Sequence, residues 1–107
     1  MKRRRIRWLE PASLDLIEIV EFVRSDRPEA ASKPGREILR AAARIARQPL
    51  SGRVLPELQE QGISDYRQTL VSPYRVIYAV RDQTIDIVAV IDSRRDLDAA
   101  LFQRFLQ

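Results

Sequence analysis

The chain has no cysteine and no histidine. These absences remove disulfides, thiolate nucleophiles, imidazole acid–base chemistry and nearly every zinc site. Lysine is almost as scarce, since of 19 basic residues only Lys2 and Lys33 are lysines. The positive charge is therefore guanidinium, permanently protonated and planar, a group that pairs in a fork with carboxylate or phosphate. Long apolar runs are missing as well. None approaches the roughly 20 residues of a membrane span, and the Arg-rich start leads into no unbroken apolar segment of the signal-peptide kind. A cytoplasmic protein without membrane contact, metal or cofactor is expected.

Within 107 residues, 45% apolar and 32% charged, one globular domain covering residues 1–107 is expected. The net charge of +4 favours an acidic partner, protein or nucleic acid, although a coding bias toward arginine would look the same.

Lys2 to Leu9 alternates, with Arg3, Arg5 and Arg7 on one face of a strand and Ile6 and Trp8 on the other. The run has the charge of a nucleic-acid arm, but the interleaved Ile6 and Trp8 favour a solvated strand face. Pro11 suits the first turn of a helix, which then carries Leu16, Ile19, Val20 and Val23 on one side and Asp15, Glu18 and Glu21 on another. Asp26-Arg27-Pro28-Glu29 stops this helix and starts the next, with Asp26 as a cap, so the two form an antiparallel hairpin. The second helix puts Ile38, Leu39, Ala42, Ile45 and Ala46 on its apolar side and Arg36, Arg40, Arg44 and Arg47 in a basic stripe. That stripe faces phosphate or an acidic partner, or else solvent with partial pairing to the acidic stripe next door. Pro34-Gly35 predicts a kink or restart near Ser32.

Pro49 to Leu58 carries two prolines and a glycine and reads as an irregular loop. Three strands follow, Tyr66 to Val71, Tyr74 to Val80 after a Ser72-Pro73 turn, and Thr84 to Ile91. The last is apolar on both faces over Ile87 to Ile91, which predicts a strand covered on both sides. The stretch from Tyr74 to Arg95 is thus a hydrophobic hairpin that delivers Arg75, Arg94 and Arg95 to one neighbourhood. Asp96 caps a terminal helix with Leu97, Leu101 and Phe105 on one face, more apolar surface than a terminal turn needs. The predicted order is β-α-α-β-β-β-α.

An N-terminal strand with Trp8, two helices broken at Asp26-Arg27-Pro28-Glu29-Ala30-Ala31, the segments Pro49-Leu50-Ser51-Gly52-Arg53 and Leu55-Pro56-Glu57-Leu58, Tyr74-Arg75-Val76-Ile77-Tyr78 and the closing Arg94-Arg95 together resemble the RelE/ParE superfamily of bacterial toxins. The resemblance is strongest to ParE-type toxins of type II toxin–antitoxin systems. It implies an α+β fold in which a small antiparallel sheet packs on an N-terminal helical hairpin. It also implies a cognate ParD-like antitoxin, a toxin–antitoxin hetero-oligomer, and one of two activities: inhibition of DNA gyrase in ParE-like members, or ribosome-dependent mRNA cleavage in RelE-like ones. Arg67, Arg75 and one of Arg94 or Arg95 match the basic positions of the RelE pattern. Thr69 stands where a second basic residue is expected, Asp92 stands where the ParE-like pattern often has histidine, and no tyrosine lies between Asp96 and Gln107.

Those departures bear on chemistry. Arginine stabilises a phosphate electrostatically but, with a pKa above about 12, neither gives nor takes protons usefully. RNA cleavage by a 2′-hydroxyl gains about 10² to 10⁴ in rate from a proton-transfer group. Asp92 beside Arg94 and Arg95 should have a lowered pKa, making it an ion-pair partner rather than a base. The sequence therefore predicts a binding inhibitor with no catalytic residue. Arg67, Arg75, Arg94 and Arg95 are the candidate partner-binding cluster, formally a relic of a phosphate site, with Arg75 alternatively paired to Asp92 or Asp86. Leu97, Leu101 and Phe105 are the candidate antitoxin contacts. The rival readings are a RelE-like endoribonuclease using the same arginines and a small basic nucleic-acid binder.

Overall fold

The computed structural model describes residues 4–63 and 65–105. Five strands make one sheet, β1 (Arg5–Trp8), β2 (Arg53–Val54), β3 (Tyr66–Val71), β4 (Tyr74–Val80) and β5 (Thr84–Asp92), in the order β1-β5-β4-β3-β2. Neighbours from β2 through β5 are antiparallel, and β1 adds along β5 in parallel, Arg5 opposite Thr84 and Trp8 opposite Ile87. The α+β arrangement agrees with the sequence reading. A parallel neighbour needs a long connection rather than a tight turn, and here the helical hairpin and the strands β2 to β4 all lie between β1 and β5 in the chain.

The hairpin is α1 (Glu10–Asp26) and α2 (Ser32–Arg47), joined through a 3₁₀ turn at Pro28–Ala30. Pro11 sits in the first turn of α1 as expected. Asp26 does not cap: it is the last residue of α1, and the turn that follows has no side-chain cap. The restart falls at Ser32, which places Pro34 in the first turn of α2, where its missing N–H has no intrahelical acceptor to lose. The buried side of α2 is Ile38, Ala41, Ala42, Ile45 and Ala46, spaced three and four apart. Leu39 lies off that stripe and is exposed, contrary to expectation.

Against the hairpin lies one face of the sheet. Val76 and Tyr78 from β4 and Ile85, Ile87 and Val90 from β5 pack there with Ala12, Ile38, Ala42 and Ile45, with Ile6 and Trp8 at the margin. Ile87 and Val90 share this face despite an odd spacing. The register explains it: Ile77 pairs with Ala89 but Tyr78 pairs with Ile87, so Val88 is an extra residue, a β-bulge. The opposite face buries Ile77, Ala89 and Ile91 with Leu55, Leu58 and Leu101, the last from α4 (Leu97–Phe105). The Asp96 carboxylate accepts the Ala99 N–H at 3.1 Å, the expected cap.

The segment read as an irregular loop is more ordered than that. It holds β2 and a one-turn helix, α3 (Pro56–Gln59), with Pro56 in its first turn. Its anchor is Tyr78, fully buried, whose hydroxyl donates to the Pro49 carbonyl at 2.9 Å and accepts from the Gly52 N–H at 3.0 Å. A Cβ on Gly52 would collide with that hydroxyl and stand 2.7 Å from the Gln68 carbonyl. Only glycine lets the loop come this close.

A candidate partner-binding groove

Register decides where the arginine cluster goes. Arg67 is opposite Tyr78 and Arg75 is opposite Leu70, so with alternating side chains Arg67 lies on the hairpin face and Arg75 on the α4 face. The two-residue Ser72-Pro73 turn carries this signal in the sequence, since it pairs Val71 with Tyr74 and fixes every later pair. Arg67 donates to the carbonyl of Gly52 at 2.8 Å and more weakly to that of Leu50, holding the β2 loop. Arg75 donates to the Gln68 side chain, with its Nε buried and unpartnered, so the alternative pairing with Asp92 or Asp86 does not form. Asp86, on β5, is committed instead to Arg7 of β1. It is 2% exposed, takes a forked pair from Arg7 at 3.0 and 2.7 Å, and accepts from the Thr84 hydroxyl. The Arg7 guanidinium holds its carboxyl below the usual range.

Arg94 and Arg95 emerge on the hairpin side, at the end of β5. Arg94 forks onto Asp92 at 2.9 and 2.6 Å, and its own N–H reaches the same carboxylate. That guanidinium pulls the Asp92 carboxyl below its ordinary value, as the sequence predicted, while burial pushes the neighbouring Tyr74 hydroxyl up. Both arginines line a groove of about 390 Å³ between α1 and the sheet end, with Ile19, Phe22, Tyr74 and Val90 as its apolar lining and Asp15 and Glu18 on the α1 side.

A second cleft of about 310 Å³, toward α4, shares Asp15, Val90 and Arg95 with the first. Between them lies a device that sequence reasoning missed. β1 stops opposite Ile87, leaving β5 without a strand neighbour on that side beyond the bulge. Two side chains take over: Asp15 accepts the Val90 N–H at 2.9 Å, and Arg104 donates to the Val88 carbonyl at 2.9 Å. They also pair with each other at 2.9 Å, so α1 and α4 are tied across the sheet edge. Asp15 is legible in the sequence only as part of an acidic stripe, and no local pattern marks Arg104, 89 residues away.

The candidate antitoxin contacts divide. Leu101 is 2% exposed and packs under the sheet, and Phe105 stacks at a tilt on Tyr66, ring centres 4.9 Å apart. The Leu97 side chain lies outside the described residues. On α4 it is Phe102 that reaches solvent, and α1 exposes Leu14, Ile17 and Phe22, the last 73% exposed. The acidic and basic stripes of the hairpin do not pair: Asp15 goes to Arg104, Glu21 goes to Arg24 at 2.6 Å, and no ion pair among the described residues includes α2.

The fold is similar to solved toxin–antitoxin structures. One is the chromosomal ParDE system from P. aeruginosa, with a TM-score of 0.69 and 20% identity over 84% of this chain and 96% of that one. Another is the toxin–antitoxin complex RelBE2 from Mycobacterium tuberculosis, with a TM-score of 0.54 and 19% identity over 85% of this chain and 99% of that one. At such identities the likeness speaks to the fold alone. No curated protein gives a significant sequence match. The family model for the ParE toxin of the type II toxin–antitoxin system, parDE, matches residues 6–97, from β1 to the start of α4. The chain belongs to the family of ParE toxins of type II toxin–antitoxin systems.

Proposed function

We propose that this toxin acts by binding, that it inhibits DNA gyrase and so blocks replication in the cytoplasm, and that a ParD-like antitoxin neutralises it within a hetero-oligomer. The observation that carries this reading is the dispersal of the arginines. Arg67 and Arg75 lie on opposite faces of the sheet, and Arg67, Arg75 and Arg94 are each already committed to a protein acceptor. A phosphate held for cleavage needs convergent donors and a group that moves protons. Asp92, the nearest candidate base, is tied to Arg94 with a lowered pKa, which favours an ion-pair role.

Supercoiling by purified gyrase should fall as the toxin is titrated to micromolar concentration. Unimpaired supercoiling, together with ribosome-dependent cuts in translated mRNA by primer extension, would transfer the assignment to RelE-like cleavage.

For the antitoxin, the exposed Leu14, Ile17 and Phe22 on α1 and Phe102 on α4 offer apolar anchors beside the groove, and Arg95, which enters no ion pair among the described residues, offers charge to an acidic segment. Leu101 and Phe105 seat α4, which carries Phe102, on the sheet. Phe22→Ser should weaken capture of the toxin by its antitoxin in a pull-down while leaving the thermal melt unchanged. Undiminished capture would move the antitoxin off α1.

A further inference from the structure

We propose that the outer face of α2 grips the sugar–phosphate backbone of duplex DNA without reading its sequence. Arg36, Arg40, Arg44 and Arg47 are all exposed there, four, four and three residues apart. At 1.5 Å per residue they form a stripe about 16 Å long. None of the ion pairs among the described residues involves them. Beside the stripe, a cleft of about 500 Å³ between α2 and β1 is lined by Arg4, Arg5, Ile6, Ala43 and Ala46, with no carboxylate among them. The one acid within α2, Glu37, is half-buried. Fields from a single sign of charge add along such a surface and concentrate anions there.

The chemistry of the face selects among anions. A protein partner is held by apolar anchors at the centre of its interface. The α2 face exposes one large apolar residue, Leu39, whereas α1 exposes three. Single-stranded nucleic acid is held by stacking on aromatic rings, and α2 contains none. Duplex phosphates need neither, only guanidinium forks at intervals along a rigid element. This inference goes beyond gyrase inhibition and does not rest on it.

The test is fluorescence anisotropy of a labelled blunt-ended duplex titrated with the full chain at several salt concentrations. Four arginine–phosphate contacts predict a slope of about −3.6 for log association constant against log salt. Arg44→Glu should weaken binding roughly tenfold and reduce that slope by about one. Arg24→Glu makes the same change in net charge on α1 and should change affinity by less than about twofold. Both positions are exposed, and a circular dichroism melt checks that both variants fold. The proposal is overturned by equal losses in the two variants, by a slope near zero, by tighter binding of a single strand than of the duplex, or by Arg44-dependent capture of polyglutamate with no duplex binding. Gyrase is absent from this assay, so its failure and the failure of the inhibitor reading are separate results.

Discussion

The two helices of the hairpin are nearly equal in length and put their residues to opposite uses. α2 sinks five residues into the core and leaves an outer face of arginines. α1, with more large apolar side chains, fully buries only Ala12 and holds Leu14, Ile17 and Phe22 in solvent. Composition alone would rank them the other way. Burial depends on the angular spacing of apolar residues: α2 concentrates small and branched ones on a single narrow stripe, and α1 spreads them around its circumference. The lesson is that α2 is held by one narrow buried stripe, whereas α1 is held by Ala12 with the half-buried Leu16 and Ile19 and by the polar contacts at Asp15.

The largest effect that would break this contrast is in the core. Ile45→Ala on α2 should cost about 2–5 kcal/mol by urea denaturation, against less than about 0.5 kcal/mol for Ile17→Ala on α1. Similar losses at both positions would abolish the distinction. A smaller effect sharpens it. Asp15→Ala leaves the Val90 N–H without its acceptor and Arg104 with only the Val88 carbonyl, and should cost about 1–3 kcal/mol, with faster hydrogen exchange at the Val90 amide. Adding Arg104→Ala removes the bond to the Val88 carbonyl but no further ion pair, so the double variant should lose less than the sum of the two single losses.

The smallest effect is in the pH dependence. The lowered pKa of Asp92 means that its pairing with Arg94 stabilises the fold above the unfolded carboxylate value of about 3.9 and is lost as pH falls through the lower folded value. Asp92→Asn should therefore be less stable than wild type at neutral pH, and the two should converge in acid. The α2 stripe has no carboxylate partner among the described residues, so Arg44→Gln should leave the shape of the stability–pH curve below pH 5 unaltered.

Much of this was legible in the sequence where the signal is local. Periodicity gives the helices and strands, Asp96 is a cap by position, and Asp92 next to Arg94 reads as an ion pair. The β5 strand, apolar on both faces, reads as interior, and it is flanked by β1 and β4. What escaped depends on residues far apart. The bulge at Val88 shows only in the register of β5 against β4, and the Asp15–Arg104 tie exists only once the sheet edge is formed. Arg67 and Arg75 seem adjacent as a motif until the strand register puts the sheet between them. The candidate site was accordingly legible in its residue types and illegible in its assembly.

The pairing of β1 with β5 also governs when this protein can exist. Arg7 and Asp86 are 79 residues apart, and Arg104 must arrive before the sheet edge beside α1 is sealed. Loop-closure entropy is spent long before such contacts repay it. A nascent chain that has emerged only as far as β4 holds the segments of the helical hairpin but lacks α4 and the strand that joins β1 to the rest. Every tie of β1 to the sheet therefore waits on β5, and the sheet edge beside α1 waits on α4 as well.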